Sequence, residues 1–424
     1  MYDFARTLLN APRSITGNGV RETLAGVSEH VPLTVHEVPS GTPVLDWTVP
    51  PEWNVQEAWL AAPDGTRVAD WSKNPLHLLG YSTPVRARLD LKDVASHLYS
   101  LPDRPTLIPY RTSYYAPTWG FCLADEVRQA LPHGEYEVCV DTTLDDAGSL
   151  TYAEAFFPGS VDEQILISTH ICHPAMANDN LSGIVVATAL GAWISAQPRY
   201  WSYRILFAPG TIGSITWLAR NRQRTAGIRA GLVLTGLGDR SGFTYKRSRQ
   251  GATWTDRVME HVLSEADEKT RIVNFSPYGY DERQFCSPGF DLPIGRLTRS
   301  PHGEYAEYHT SGDDLDFITP SQLEKALVVL QRAVEVLETD RRYVNTHPFG
   351  EPNLGRRGLY RQVGGTIDQR SVELGYLWML SQSDGDHSLL DVARSSGVAY
   401  DALRSASRAL LEAGLLEDVG SGAR

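Results

Sequence analysis

Between about residues 121 and 340 short apolar runs alternate with segments of helical periodicity, and this limits the fold more than any other feature. "EQILIST" is followed by a helical pattern from Ser182, and "YRILFA" by "TIGSITWLARNRQ". "AGLVLTG" leads on to "TWTDRVMEHVLSEAD", and "TRIVNFS" and "DLPIGRLT" complete the strand-like runs. Such alternation predicts an α/β fold: a mixed, mainly parallel sheet with helices on both faces. Loops at the carboxyl ends of parallel strands are where such sheets carry their chemistry. The last helix of the region opens with Thr319 as N-cap, Pro320 at N1 and Gln322 at N3, which predicts a capping box.

The flanking text differs. Residues 44–110 are rich in Pro, Trp and Tyr and include "AWLAAPDGTRVAD", where a turn-forming "PDG" separates two apolar runs. This stretch predicts a small β-rich insertion into a core formed by residues 1–43 and 111–345. A Pro/Gly/Arg-rich linker, "NTHPFGEPNLGRRG", then precedes three closely spaced helical patterns, predicting a winged-helix domain over 356–424.

The formal net charge of −12 argues against a nucleic-acid or membrane-surface binder, which needs a basic stripe. The helix in the recognition position, "YDALRSASRALLEAGLLE", offers only Arg404 and Arg408, so docking to a protein surface is the expected use of the winged helix. Four cysteines without a C-x-x-C pair exclude a disulfide framework and a thiolate zinc knuckle. With no apolar segment long enough to span a bilayer and no secretory h-region, the expectation is a cytoplasmic protein.

"THICHPAMANDNLSG", residues 169–183, joins a predicted strand to a predicted helix. His170 at the strand end and Asp179 before the helix make a good divalent-metal pair. Equally, Asp179 and Asn180 can cap the helix while His170 makes a core hydrogen bond. His173, followed by Pro174, is read as support for ligands or as plain structure, with a ligand role as the alternative. A second cluster, "PHGEYAEYHTSGDDLDFI", carries Glu304, Glu307 and His309 at another strand-to-helix connection. Two His-and-acid clusters at strand ends of one sheet favour the metal reading.

These phrases resemble the zinc-dependent aminopeptidase superfamily, which includes the glutaminyl cyclases. "PYRTSYYAPTWGFC", "GYDERQFCSPGF", "TIGS" and "EYAEYHTS" are similar, more closely, to a group of bacterial aminopeptidase-like proteins with a β-rich N-terminal insertion and a C-terminal winged helix. The resemblance implies His170, Asp179 and His309 as metal ligands. It also implies a second metal site that is incomplete here, because Thr235 and Gly236 stand where a ligand aspartate is expected and Asp239 lies further down the loop. One zinc ion is therefore expected. The group places a general-base glutamate in a P-E-T-I-G-S phrase, where this chain has "APGTIGS" and Gly210. A positioned base contributes about 100- to 10,000-fold, so another carboxylate is needed for full activity.

Glu304 and Glu307 are the expected catalytic substitutes. Asp281 and Glu282 can supply acid or ligand functions, and Arg283 can clamp a substrate carboxylate, unless these residues form an internal pair. Tyr114 and Tyr115 can line a pocket or pack the insertion on the core. The expected function is zinc-dependent hydrolysis of an amide bond in a small peptide-like or amino-acid-derived substrate. The alternatives are a catalytically silent metal-retaining binder and a zinc-assisted acyl transfer or cyclisation. Expected partners are a small molecule or short peptide and no nucleic acid or membrane, with a homo-oligomer compatible.

Overall fold

The computed structural model of the chain describes residues 1–266, 269–359 and 367–423. An eight-stranded sheet organises the first of two compact units, Met1–Gly251 with 267–328. Its strands are Thr34–Pro39 (β1), Ser149–Phe157 (β2), Gln164–His170 (β3), Ser202–Ala208 (β4), Ile228–Leu234 (β5), Phe243–Lys246 (β6), Thr270–Val273 (β7) and Ile294–Thr298 (β8). They lie in the order β1-β2-β4-β3-β5-β8-β6-β7. The inner four, β4, β3, β5 and β8, are parallel. β1 and β2 add antiparallel on one side, and β6 adds antiparallel to β8 on the other.

The inner strands are buried almost from end to end, which is why they read as continuous apolar runs rather than alternating ones. The Gly183–Ser195 helix that follows β3 is likewise apolar nearly all round and buried, as expected for a helix with no solvent face. Gly231 on β5 shows how closely the strands pack: a Cβ there would come within 2.5 Å of the Leu166 carbonyl oxygen on β3.

The β-rich insertion forms a four-stranded antiparallel sheet in the order Arg67–Asp70, Glu52–Ala61, Glu135–Asp145, Val85–Asp90. The "PDG" turn closes its first hairpin, with Gly65 at φ +84° and the Asp64 side chain accepting from the Thr66 N–H. One inner strand, Glu135–Asp145, lies outside 44–110 and continues through a tight turn into β2. The chain thus passes from the small sheet directly into the large one.

The second unit contains Ala252–Ala266 and Val329–Arg424. Here Asp384–Ser388, Arg341–Asn345 and Leu416–Ser421 form an antiparallel three-stranded sheet, accompanied by helices Ile367–Gln382, Leu389–Ser396 and Tyr400–Glu412. This is a winged helix. Its strand Arg341–Asn345 precedes the linker; residues 360–366, which fall inside the expected 356–424 span, lie outside the described residues. Within this unit buried Asp340 accepts from the Trp254 indole N–H at 2.8 Å and the Leu390 N–H at 2.9 Å. Burial pushes its carboxyl up to about 6.

The predicted capping box at Thr319 is half formed. The Thr319 hydroxyl accepts from the Gln322 N–H, but the Thr319 N–H goes to the Gly238 carbonyl instead of the Gln322 side chain. No helix among the described residues is long and apolar enough to cross a membrane.

Candidate metal centre

Four loops meet at the carboxyl ends of the inner strands: 171–182 after β3, 209–211 after β4, 235–242 after β5 and 299–319 after β8. The first is fastened at several points. Asn180 donates through Nδ2 to Thr169 Oγ1 and the His170 carbonyl, and accepts from the Gly236 N–H, joining the ends of β3 and β5. Asn178 accepts from the Gly238 N–H and donates to Asp239. The Asp313 carboxylate accepts from the backbone N–H groups of Asn178 and Asp179 at 2.5 and 2.9 Å. Gly183 completes the fit, since a Cβ there would lie 2.4 Å from Asn180 Oδ1. Replacing Asp313 with Ala orphans two buried N–H groups; we expect a loss of about 1–3 kcal/mol per group, read by chemical denaturation.

This framework holds the Asp179 side chain fully buried among three imidazoles. His170 Nε2 lies 2.8 Å from Asp179 Oδ1, His173 Nδ1 lies 3.4 Å from the same oxygen, and the two ring nitrogens are 3.1 Å apart. His309 Nε2 lies 3.1 Å from the other oxygen, Oδ2. Tetrahedral zinc with bonds of about 2.0–2.1 Å separates its donors by about 3.3 Å. The donor spacing observed fits such an ion, and His170, His173 and Asp179 form a group that can hold a metal. Burial alone would raise the Asp179 carboxyl, but His173 and His170 outweigh it and hold it well below the usual carboxylate range. Burial lowers the His309 imidazole despite Asp179, which keeps its nitrogen available as a donor.

His309 adopts φ +54°, an uncommon conformation for a residue with a side chain. Its carbonyl accepts from the Tyr110 N–H at 2.8 Å, and the Tyr308 ring stacks on its imidazole at 3.9 Å. Arg13, buried, donates to the His173 carbonyl at 2.7 Å. Tyrosines wall the imidazoles: Tyr110 meets His173 and His309 edge-on, and Tyr280 stacks on His170 at 5.1 Å.

The structure thus brings His170, Asp179 and His309 together and places His173 with them, in keeping with the ligand alternative for that residue. The i, i+3 spacing of His170 and His173 was the available signal. Asp239 anchors the loop through Asn178, Ser241 and Ser300 and does not face the histidines.

The expected catalytic acids are not at this group. Glu304 is half exposed and pairs with Arg271 at 2.8 Å, because its loop turns outward before His309. Glu307 is half-buried with its Cγ near Gly312, and its carboxylate makes no hydrogen bond to Asp179 or the histidines. Tyr115 is half exposed, with its ring against Trp47 and its hydroxyl donating to the Thr48 carbonyl, so it packs on the insertion rather than lining the site. Tyr114 shares a hydrogen bond with Tyr110 and so stands one ring behind it. Glu282 is fully buried and ion-paired with Lys246 at 2.9 Å and Arg296 at 3.5 Å. Half-buried Arg283 has an Nε without a partner among the described residues.

Asp281 lies beside Gly210. A Cβ at Gly210 would sit 3.5 and 3.6 Å from its two carboxylate oxygens and 3.1 Å from the His170 Cβ. Asp281 is buried; Oδ1 accepts from Ser214 at 3.0 Å, and Oδ2 has no partner among the described residues. Burial pushes its carboxyl up to about 7, with Ser214 opposing and Glu282 adding to the rise.

The family model described as "Domain of unknown function (DUF4910)" matches residues 2–340, and a winged helix-turn-helix model matches residues 341–418. A protein of Clostridium acetobutylicum, described as a polysaccharide biosynthesis protein with an aminopeptidase-like domain, is 42% identical over 98% of this chain and 96% of its own. A crystal structure described as a peptidase from Clostridium acetobutylicum superposes with a TM-score of 0.93 at 41% identity, covering 99% of this chain and 96% of that one. The zinc aminopeptidase of Bacillus subtilis superposes at 0.58 and 12% identity, over 79% of this chain and 93% of that one, and so shares the fold. The chain belongs to the DUF4910 family, with an aminopeptidase-like fold followed by a winged helix.

Proposed function

We propose that this chain is a zinc-dependent hydrolase of an amide bond in a small peptide-like or amino-acid-derived substrate. The observation that carries the reading is the donor spacing around Asp179, where two imidazole nitrogens and a carboxylate oxygen lie 2.8–3.4 Å apart. His170, His173 and Asp179 would hold the ion, with His309 on the second carboxylate oxygen. Zinc supplies Lewis acidity, polarising the amide carbonyl and easing deprotonation of water.

In this reading Asp281 does the work of the absent glutamate. Its unpartnered Oδ2 takes a proton from the attacking water as the C–O bond forms, and returns it to the leaving nitrogen as the C–N bond breaks. A carboxyl near pH 7 is matched to both steps at neutral pH. Ser214 holds Oδ1, orienting the carboxylate, while Tyr280 and Tyr110 restrict water around the imidazoles.

A second substrate class is favoured by the name of the Clostridium relative, which points to polysaccharide biosynthesis: the amide of an N-acylated amino sugar. The test is turnover by zinc-loaded protein on dipeptides and N-acetylamino sugars, with the double variant Asp281→Asn/Gly210→Glu beside Asp281→Asn alone. Turnover of either class, lost in Asp281→Asn and partly restored by the added glutamate, supports the reading. Zinc-loaded protein that turns over neither class contradicts it.

A further inference from the structure

Next to the metal group the chain buries two cations against one carboxylate. Lys246 on β6 and Arg296 on β8 have side chains only 3% exposed, and both approach the same oxygen, Glu282 Oε1, at 2.9 and 3.5 Å. Among the described residues, Glu282 Oε2 and Arg296 Nε have no partner. Lys246 also donates to the Tyr278 carbonyl, and Arg296 approaches His302 Nδ1 at 3.4 Å. The backbone passes directly over the cluster: a Cβ at Gly279 would lie 2.1 Å from Glu282 Oε1 and 2.9 Å from Lys246 Nζ, so only glycine leaves room. An unmatched charge removed from water costs several kcal/mol. A metal ion at Asp179 would add to the positive charge rather than offset it.

The place of the cluster gives it a use. Tyr280 is a shared wall, stacking on His170 at 5.1 Å while holding the Arg296 guanidinium 5.5 Å and the His302 ring 5.1 Å from its centre. Tyr308 makes a second link, against His309 on one side and His302 on the other. His302 is half-buried and borders exposed Tyr278, so the cluster has an outward side. Burial and Arg296 lower the His302 imidazole, leaving a neutral ring able to donate one hydrogen bond.

We propose that Arg296, Lys246 and His302 form an anion subsite, one tyrosine ring away from the metal group, for a carboxylate or phosphate carried by the substrate away from its scissile amide. Its role in turnover rests on the hydrolase reading; its affinity for anions does not. Arg296, with the unpartnered Nε, is the principal contact, and Lys246 adds charge from behind Glu282.

The test is calorimetric titration of metal-free protein with glutarate and with inorganic phosphate at low ionic strength, for wild type, Arg296→Met and Arg296→Lys. Arg296→Met leaves Lys246 matched one-to-one with Glu282, so the variant is expected to fold. Expected is saturable binding of at least one anion, weakened about tenfold or more in Arg296→Met and largely kept in Arg296→Lys. Tighter glutarate marks a carboxylated substrate, and tighter phosphate a phosphorylated one. If Arg296→Met does not fold, the same loss is read in Lys246→Met. Absence of saturable binding to wild type, or equal binding to all variants, overturns the proposal. Because no zinc is present, either result stands whether or not the protein proves to be a hydrolase.

Discussion

Asp281→Asn is expected to lower turnover of an amide substrate by about 100- to 10,000-fold while leaving zinc content unchanged. The asparagine keeps the shape of the side chain and its bond to Ser214 but cannot take a proton. In wild type the carboxyl is pushed up to about 7, so kcat/KM should fall on the acid side of about pH 7 as Asp281 becomes protonated. Stability should move the other way. A carboxyl whose folded pKa exceeds its unfolded value near 3.9 keeps its proton longer in the folded state, so rising pH from about 4 to 7 lowers stability. Asparagine removes that loss. The variant should therefore melt at the same temperature or higher at pH 8 while losing activity, a combination that a purely structural role would not give. A variant that keeps full turnover would remove Asp281 from the chemistry.

Asp179→Ala should abolish zinc binding at micromolar free metal. Both its carboxylate oxygens face imidazoles, so its removal deletes the donor shared by His170, His173 and His309. With about 10–16 kcal/mol distributed over four ligands in structural zinc sites, one ligand is worth roughly 100- to 1,000-fold in affinity. His173→Ala should show a loss of the same order, whereas Glu304→Ala should change neither zinc affinity nor turnover. Competition with a chromogenic chelator reads all three.

Why His170, Asp179 and His309 were legible and their surroundings were not follows from where each lies. His170 ends a strand, and Asp179 and His309 lie in the loops that follow strands announced by continuous apolar runs; such loops converge at the carboxyl ends of a parallel sheet. His173 falls in an irregular turn whose path depends on Arg13 and Asp313, residues 160 and 140 positions away, so local pattern gave no view of its direction. Glu304 looked catalytic because it shares a phrase with His309, but the chain reverses between them and delivers it to Arg271. Asp281 was visible only as one acid among several. Its closeness to Gly210 is a contact between the ends of different loops and needs the folded sheet. That Glu135–Asp145 joins the insertion's sheet while Ser149–Phe157 joins the large one escapes the sequence for a similar reason: only a short turn separates the two strands, and composition does not mark the point of transfer.

The central claim, that Asp179 and its histidines hold a catalytic zinc ion, is tested most directly by measuring metal per chain by mass spectrometry. The protein should be purified without added metal and then dialysed against zinc. The account predicts about one zinc per wild-type chain; no zinc above background, even after zinc is offered, would contradict it.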